Sequence, residues 1–112
     1  MSSEHRKKGG GLPHVGLDLR ALNEDPWLGL SAAAKIFYIQ LKSQYSGSNN
    51  GKIRLSYSKM RSVKGCSNDH TISKAIKELR DKGWIKVKEI GGLHRHYNLY
   101  KLTFKWEFYA HD

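Results

Sequence analysis

Cysteine and proline are scarce in this 112-residue chain, with one Cys and two Pro, and its longest apolar run is Ile36-Phe37-Tyr38-Ile39. A single thiol, Cys66, excludes an internal disulfide and fits a reducing compartment, so a cytoplasmic location is expected. Such a run falls far short of the ~18 residues needed to cross a bilayer, and the N-terminus lacks the apolar core of a secretory signal. Catalytic signatures are missing too. The chain has no phosphate-binding glycine loop, no Gly-x-Ser-x-Gly, no zinc-protease histidine pair and no evident triad. Its sparse carboxylates offer no recognisable acid–base pair. No enzymatic activity, cofactor, metal or membrane partner is therefore expected.

Acids are also in short supply: ten Asp and Glu face twenty Lys and Arg, for a formal net charge of +10. The excess is uneven. Between Lys52 and Lys88 stand eleven Lys and Arg against three acids, Asp69, Glu78 and Asp81, a balance of +8, whereas the rest of the chain carries only +2. A positive excess gathered on one segment points to a polyanionic partner, with a merely solvated basic face as the competing reading.

Residues 1–11 are polar, basic and glycine-rich, and read as a disordered arm. Its Arg6-Lys7-Lys8 run is read as an untethered tail in preference to a phosphate-contacting one. Residues 12–112 read as one domain with a single modest core. Residues 12–22 alternate and are expected to be extended. Asn23-Glu24-Asp25-Pro26 reads as a turn that Pro26 closes to any helix. Ser31 caps a helix whose face runs through Ala33, Ile36, Phe37 and Leu41, flanked by Tyr38 and Tyr45, with Lys35, Lys42 and Gln44 facing water. The loop 47–51, rich in Gly and Asn, leads into a strand at 52–55.

A helix over 57–64, capped by Ser56, ends at Gly65-Cys66, and Cys66 reads as a small buried filler. A second helix over 67–82, capped by Ser67, buries Ile72, Ala75, Ile76 and Leu79 and stops at Gly83. Helices joined this tightly must cross steeply, which turns the second one outward. Residues 84–90 and 97–104 alternate on either side of a Gly91-Gly92 tip and predict a hairpin. The aromatic end, Trp106, Phe108 and Tyr109, packs either on the body or on another copy. Helix, strand, helix, turn, helix and hairpin in that order make an α+β winged helix-turn-helix, with the hairpin as wing.

Such an outward helix on a basic domain suits the major groove of duplex DNA. Readout there needs donors and acceptors near a helix N-terminus, and Asn68, His70, Thr71, Ser73, Lys74 and Lys77 supply them. Asp69 is the awkward member: it either caps the helix or accepts from cytosine, and its charge opposes phosphate. Phosphate contacts are expected from Ser56, Tyr57, Ser58, Lys59 and Arg61 on the preceding helix, joined by Lys52 and Arg54. At the wing tip, His94, Arg95 and His96 are placed to enter a minor groove or lie along the backbone. The two histidines read as surface residues, because no Cys or carboxylate cluster accompanies them as zinc ligands.

Further pieces carry a family resemblance. They are Trp27 before Leu30-Ser31-Ala32-Ala33-Ala34, the Tyr45-Ser46-Gly47-Ser48-Asn49-Asn50-Gly51 loop, Ile53 with Leu55-Ser56, Gly65-Cys66-Ser67, Ala75-Ile76-Lys77-Glu78-Leu79 with Gly83-Trp84-Ile85, and Leu102-Thr103. From Trp27 to Trp106 the sequence resembles winged helix-turn-helix proteins of prophages, plasmids and other mobile elements. The resemblance implies DNA binding in transcription regulation or replication of such an element. An adaptor that binds another protein through its aromatic tail is the alternative, and a homodimer on paired half-sites is one arrangement open to a DNA binder. RNA binding lacks the exposed aromatic pattern it would need.

Overall fold

The computed structural model describes residues 15–89 and 97–107. Two short helices come first, α1 (Leu19–Leu22) and α2 (Asp25–Leu28), then α3 (Ala32–Ser43). β1 (Ile53–Ser56), α4 (Tyr57–Met60) and α5 (Asp69–Asp81) follow, and β2 (Ile85–Glu89) and β3 (Tyr97–Leu102) complete the order. With three antiparallel strands beside the helices, the chain is an α+β winged helix, as expected.

Several local expectations are corrected. Residues 19–22 are helical rather than extended, because Asp18 accepts the Arg20 N–H at 3.0 Å and caps the turn. Pro26 does not exclude a helix; it sits in the first turn of α2, where its missing N–H is no loss. The helix expected over 57–64 is helical only to Met60, and turns carry the chain on to Gly65. α5 is capped by Asn68 and not Ser67, since Asn68 Oδ1 accepts the Thr71 N–H at 2.8 Å. Its other end closes as read: Gly83 takes φ +86°, with Trp84 N–H on the Leu79 carbonyl and Gly83 N–H on that of Arg80.

β3 is the central strand, flanked by β1 and β2, with Ile53 opposite Tyr100 and Ile85 opposite Leu102. The hairpin was legible in sequence, but the pairing of β1 was not. Asn50 fastens it: its side chain exchanges two hydrogen bonds with the Leu102 backbone, at 2.9 and 2.7 Å, as a peptide group would. Ile53, Leu55, Tyr100, Leu102 and Ile85 face inward onto Phe37, Leu41, Ile72 and Leu79, all buried. Trp84 sits at the centre of an aromatic group, edge-on to Trp27 at 5.6 Å and Tyr38 at 5.1 Å.

The position of Lys42 overturns another expectation. It does not face water; its ammonium is buried against Glu107 at 2.7 Å and the Gly16 carbonyl at 2.6 Å. Glu107 also accepts from the Tyr38 hydroxyl and from the Asp18 N–H. This cluster ties both ends of the described chain to α3. Trp106 packs on the body as well, donating its indole N–H to the Lys82 carbonyl at 3.1 Å. Phe108, Tyr109, the arm 1–11 and the hairpin tip lie outside the described residues.

Candidate nucleic-acid interface

α5 owes its orientation to a buried stripe and three polar attachments. Ile72, Ala75, Ile76 and Leu79 pack inward against α3, as the 3.6-residue period requires. Near its C-terminal end, Glu78 accepts the Ser31 N–H at 2.8 Å and the Ser31 hydroxyl at 2.7 Å, pinning α5 to the start of α3. On the α4 side, the Tyr57 and Ser73 hydroxyls bond at 2.8 Å. Arg61 meets Asp69 through two bonds, Nε to Oδ1 at 2.8 Å and Nη2 to Oδ2 at 2.9 Å.

What remains outward is the predicted face. His70, Ser73, Lys74 and Lys77 are exposed, Thr71 is half-buried, and Asn68 spends its carbonyl oxygen on the cap, leaving its NH₂ as donor. Lys77 pairs with Asp81 at 2.6 Å, whereas Lys74 has no ion pair among the described residues. A shallow cleft of about 520 Å³ opens between the α3 start and this face, lined by Ser31, His70, Thr71, Lys74, Lys77 and Asp81 among others.

Among the phosphate candidates, Tyr57 and Arg61 are drawn onto α5 by the bonds above. Ser58 and Lys59 are exposed on α4, and Ser56 is half-buried and caps that helix by accepting the Lys59 N–H. Lys52 is exposed just before β1. Arg54 stands elsewhere, opposite Leu99 on the sheet face turned from the core. That face also carries Lys86 directly opposite Lys101, both exposed, with Lys88 nearby. Sequence reasoning had not assembled this second basic surface, although the apolar–charged alternation of 84–90 contained it. His94, Arg95 and His96 lie outside the described residues.

The acids of the basic segment are all engaged. Hydrogen bonds from Arg61 hold the Asp69 carboxyl below its ordinary range. Those from Lys77, with a smaller part from Arg80, do the same for Asp81. Burial pushes Glu78 up, but its bonds from Ser31 and Lys82 outweigh that and leave it lowered. Burial raises the Cys66 thiol, which is wholly enclosed and points at the Ala33 carbonyl, so it packs rather than reacts. Among the described residues no three His, Cys, Asp or Glu side chains gather to hold a metal ion, and no helix is long and apolar enough to cross a membrane.

A model of the helix-turn-helix domain matches residues 28–85, just over half of the chain and the stretch from α2 to the start of β2. No curated protein and no solved structure matches the chain at a significant level.

Proposed function

The chain belongs to the helix-turn-helix domain family, and on that premise we propose that it binds duplex DNA sequence-specifically, with α5 in the major groove. The observation that carries this reading is the outward half of α5: a helix whose apolar stripe is fully used inside presents His70, Ser73, Lys74 and Lys77 to solvent within its first turns. Lys74 and Lys77 suit guanine, the Asn68 amide and Thr71 suit base edges or phosphates, and Lys52, Lys59 and Arg61 suit the flanking backbone. The wing tip, His94 to His96, takes a neighbouring groove or the backbone. Two copies on paired half-sites would multiply specificity, and the resemblance to mobile-element proteins suggests a regulatory or replication role in a cytoplasm.

The adaptor reading draws on the aromatic tail Trp106-Glu107-Phe108-Tyr109; Trp106 and Glu107 are fastened to the body, and Phe108 and Tyr109 lie outside the described residues.

Selection of bound sequences from a random duplex pool, followed by titration of winners against unselected duplex, tests this directly. With about six phosphates neutralised, affinity falls about a thousandfold between 50 and 200 mM salt. Failure to prefer any selected sequence at any salt concentration would refute sequence-specific binding.

A further inference from the structure

Asp69, at the start of α5, has no role in the proposed DNA contact. A carboxylate in the first turn of a probe helix opposes the phosphates that helix must approach. It is not needed as a cap, because Asn68 fills that role. Its partner is informative. Arg61 stands just after α4, about half exposed, and gives Asp69 the Nε–Nη2 edge of its guanidinium. A guanidinium is a planar fork of five donors, so the Nη1 side stays open among the described residues.

We propose that Asp69 is a positioning residue that holds Arg61 as a two-pronged clamp for a DNA phosphate beside the start of α5. The inference rests on the duplex-binding reading and names one contact within it. A free surface Arg loses much rotamer freedom when it captures a phosphate; one already locked on Asp69 has lost most of it beforehand. A backbone phosphate is the target because the helix preceding a probe helix crosses the sugar–phosphate backbone. The negative charge of Asp69 is meanwhile screened by the cation it orients.

The two roles of Asp69 predict opposite signs. If it only repels, Asp69→Ala tightens binding; if it positions Arg61, the same change weakens binding by about fivefold to tenfold. The test titrates wild type, Asp69→Ala, Arg61→Ala and the double variant against a mixed-sequence duplex of about three helical turns, over a range of salt. In the Arg61→Ala background, Asp69→Ala is expected to improve binding, since only repulsion is left to remove. Arg61→Ala is expected to lower the salt slope by about one phosphate contact, which a purely structural tether would not do. Asp69→Asn, which keeps the side chain's shape, follows Asp69→Ala in direction, and melting curves check that each variant folds. Tighter binding by Asp69→Ala in the wild-type background, or an unchanged slope in Arg61→Ala, overturns the clamp alone. A wild-type chain that binds no duplex at all overturns both the clamp and the reading beneath it.

Discussion

Replacing Glu107 by Ala should cost the fold more than any substitution on the exposed side of α5. Its side chain is 1% exposed and that of Lys42 is 4% exposed, so neither charge is rescued by water. Removal of the carboxylate takes a buried acceptor from three donors: the Lys42 ammonium, the Tyr38 hydroxyl and the Asp18 N–H. The Gly16 carbonyl still accepts from Lys42, but it carries no charge. Breaking one side of a buried pair costs roughly 3–5 kcal/mol, a large part of the roughly 5–15 kcal/mol that holds a small domain together. At about 4 °C per kcal/mol, Tm should fall by on the order of 12–20 °C. A companion Lys42→Met/Glu107→Leu variant removes both members of the buried pair and should recover much of that loss, since apolar side chains of similar volume carry no desolvation cost. None of the Glu107 partners lies on α5, so Glu107→Ala held well below its Tm should bind duplex as the wild type does. Thermal melts followed by circular dichroism supply the measurement. A Tm drop below about 3 °C, or a double variant that melts lower than Glu107→Ala, would refute the argument from the buried ion pair.

Gly65 takes φ +96°, and a Cβ added there would stand 2.7 Å from Ile36 Cδ1. Gly65→Ala should therefore lose about 2 kcal/mol or more to backbone strain and crowding, read as a lower urea midpoint with unchanged slope. The Glu78 carboxyl is held below its ordinary value in the folded chain, so the unfolded chain binds its proton first as pH falls. Its stabilising contribution is present above the ordinary Glu pKa and is lost as pH drops through the lowered one. Urea midpoints measured from pH 7 down to pH 3 should fall less steeply for Glu78→Gln than for wild type, and parallel curves would count against the Ser31–Glu78 attachment. Lys74→Ala removes an exposed cation that has no ion pair among the described residues. It should weaken duplex binding, with a salt slope smaller by about one if Lys74 meets a phosphate, or a loss of roughly 1–3 kcal/mol at one base if it reads guanine. Unchanged binding on both counts would remove Lys74 from the interface.

The parts of this fold that were legible in sequence are those decided within one turn or one hairpin. The α5 stripe, the Ser31 and Ser56 caps, the Gly83 stop and the β2–β3 alternation each depend on neighbours a few residues away. Errors arose where two local signals competed. Ser67 and Asn68 are both good caps, and only the bond to Thr71 shows which one serves. Pro26 reads equally as a helix breaker or a first-turn residue. Errors also arose where the deciding partner is distant. Nothing near Lys42 announces that Glu107, sixty-five positions on, will bury it, and nothing near Asn50 announces Leu102. The candidate site follows the same division. Its residues could be named from the α5 pattern, whereas the Arg61–Asp69 pair required α4 and α5 to be brought together.

The acids within the basic segment look at first like an argument against a nucleic-acid surface, and their placement turns it round. All three fall on α5, and each is occupied: Asp69 by Arg61, Glu78 by Ser31 and Lys82, Asp81 by Lys77 and Arg80. Repulsion from a partnered carboxylate is largely cancelled at a phosphate's distance, since the pair presents a dipole rather than a charge. Meanwhile Lys52, Lys59, Lys64 and Lys74, all exposed, have no ion pair among the described residues. On the proposed reading the acids orient α5 and its neighbouring arginine, while the unmatched lysines would supply the long-range attraction. Positioning and charge would then be carried by different residues of one short segment, a division that would let a helix bearing three carboxylates face a polyanion.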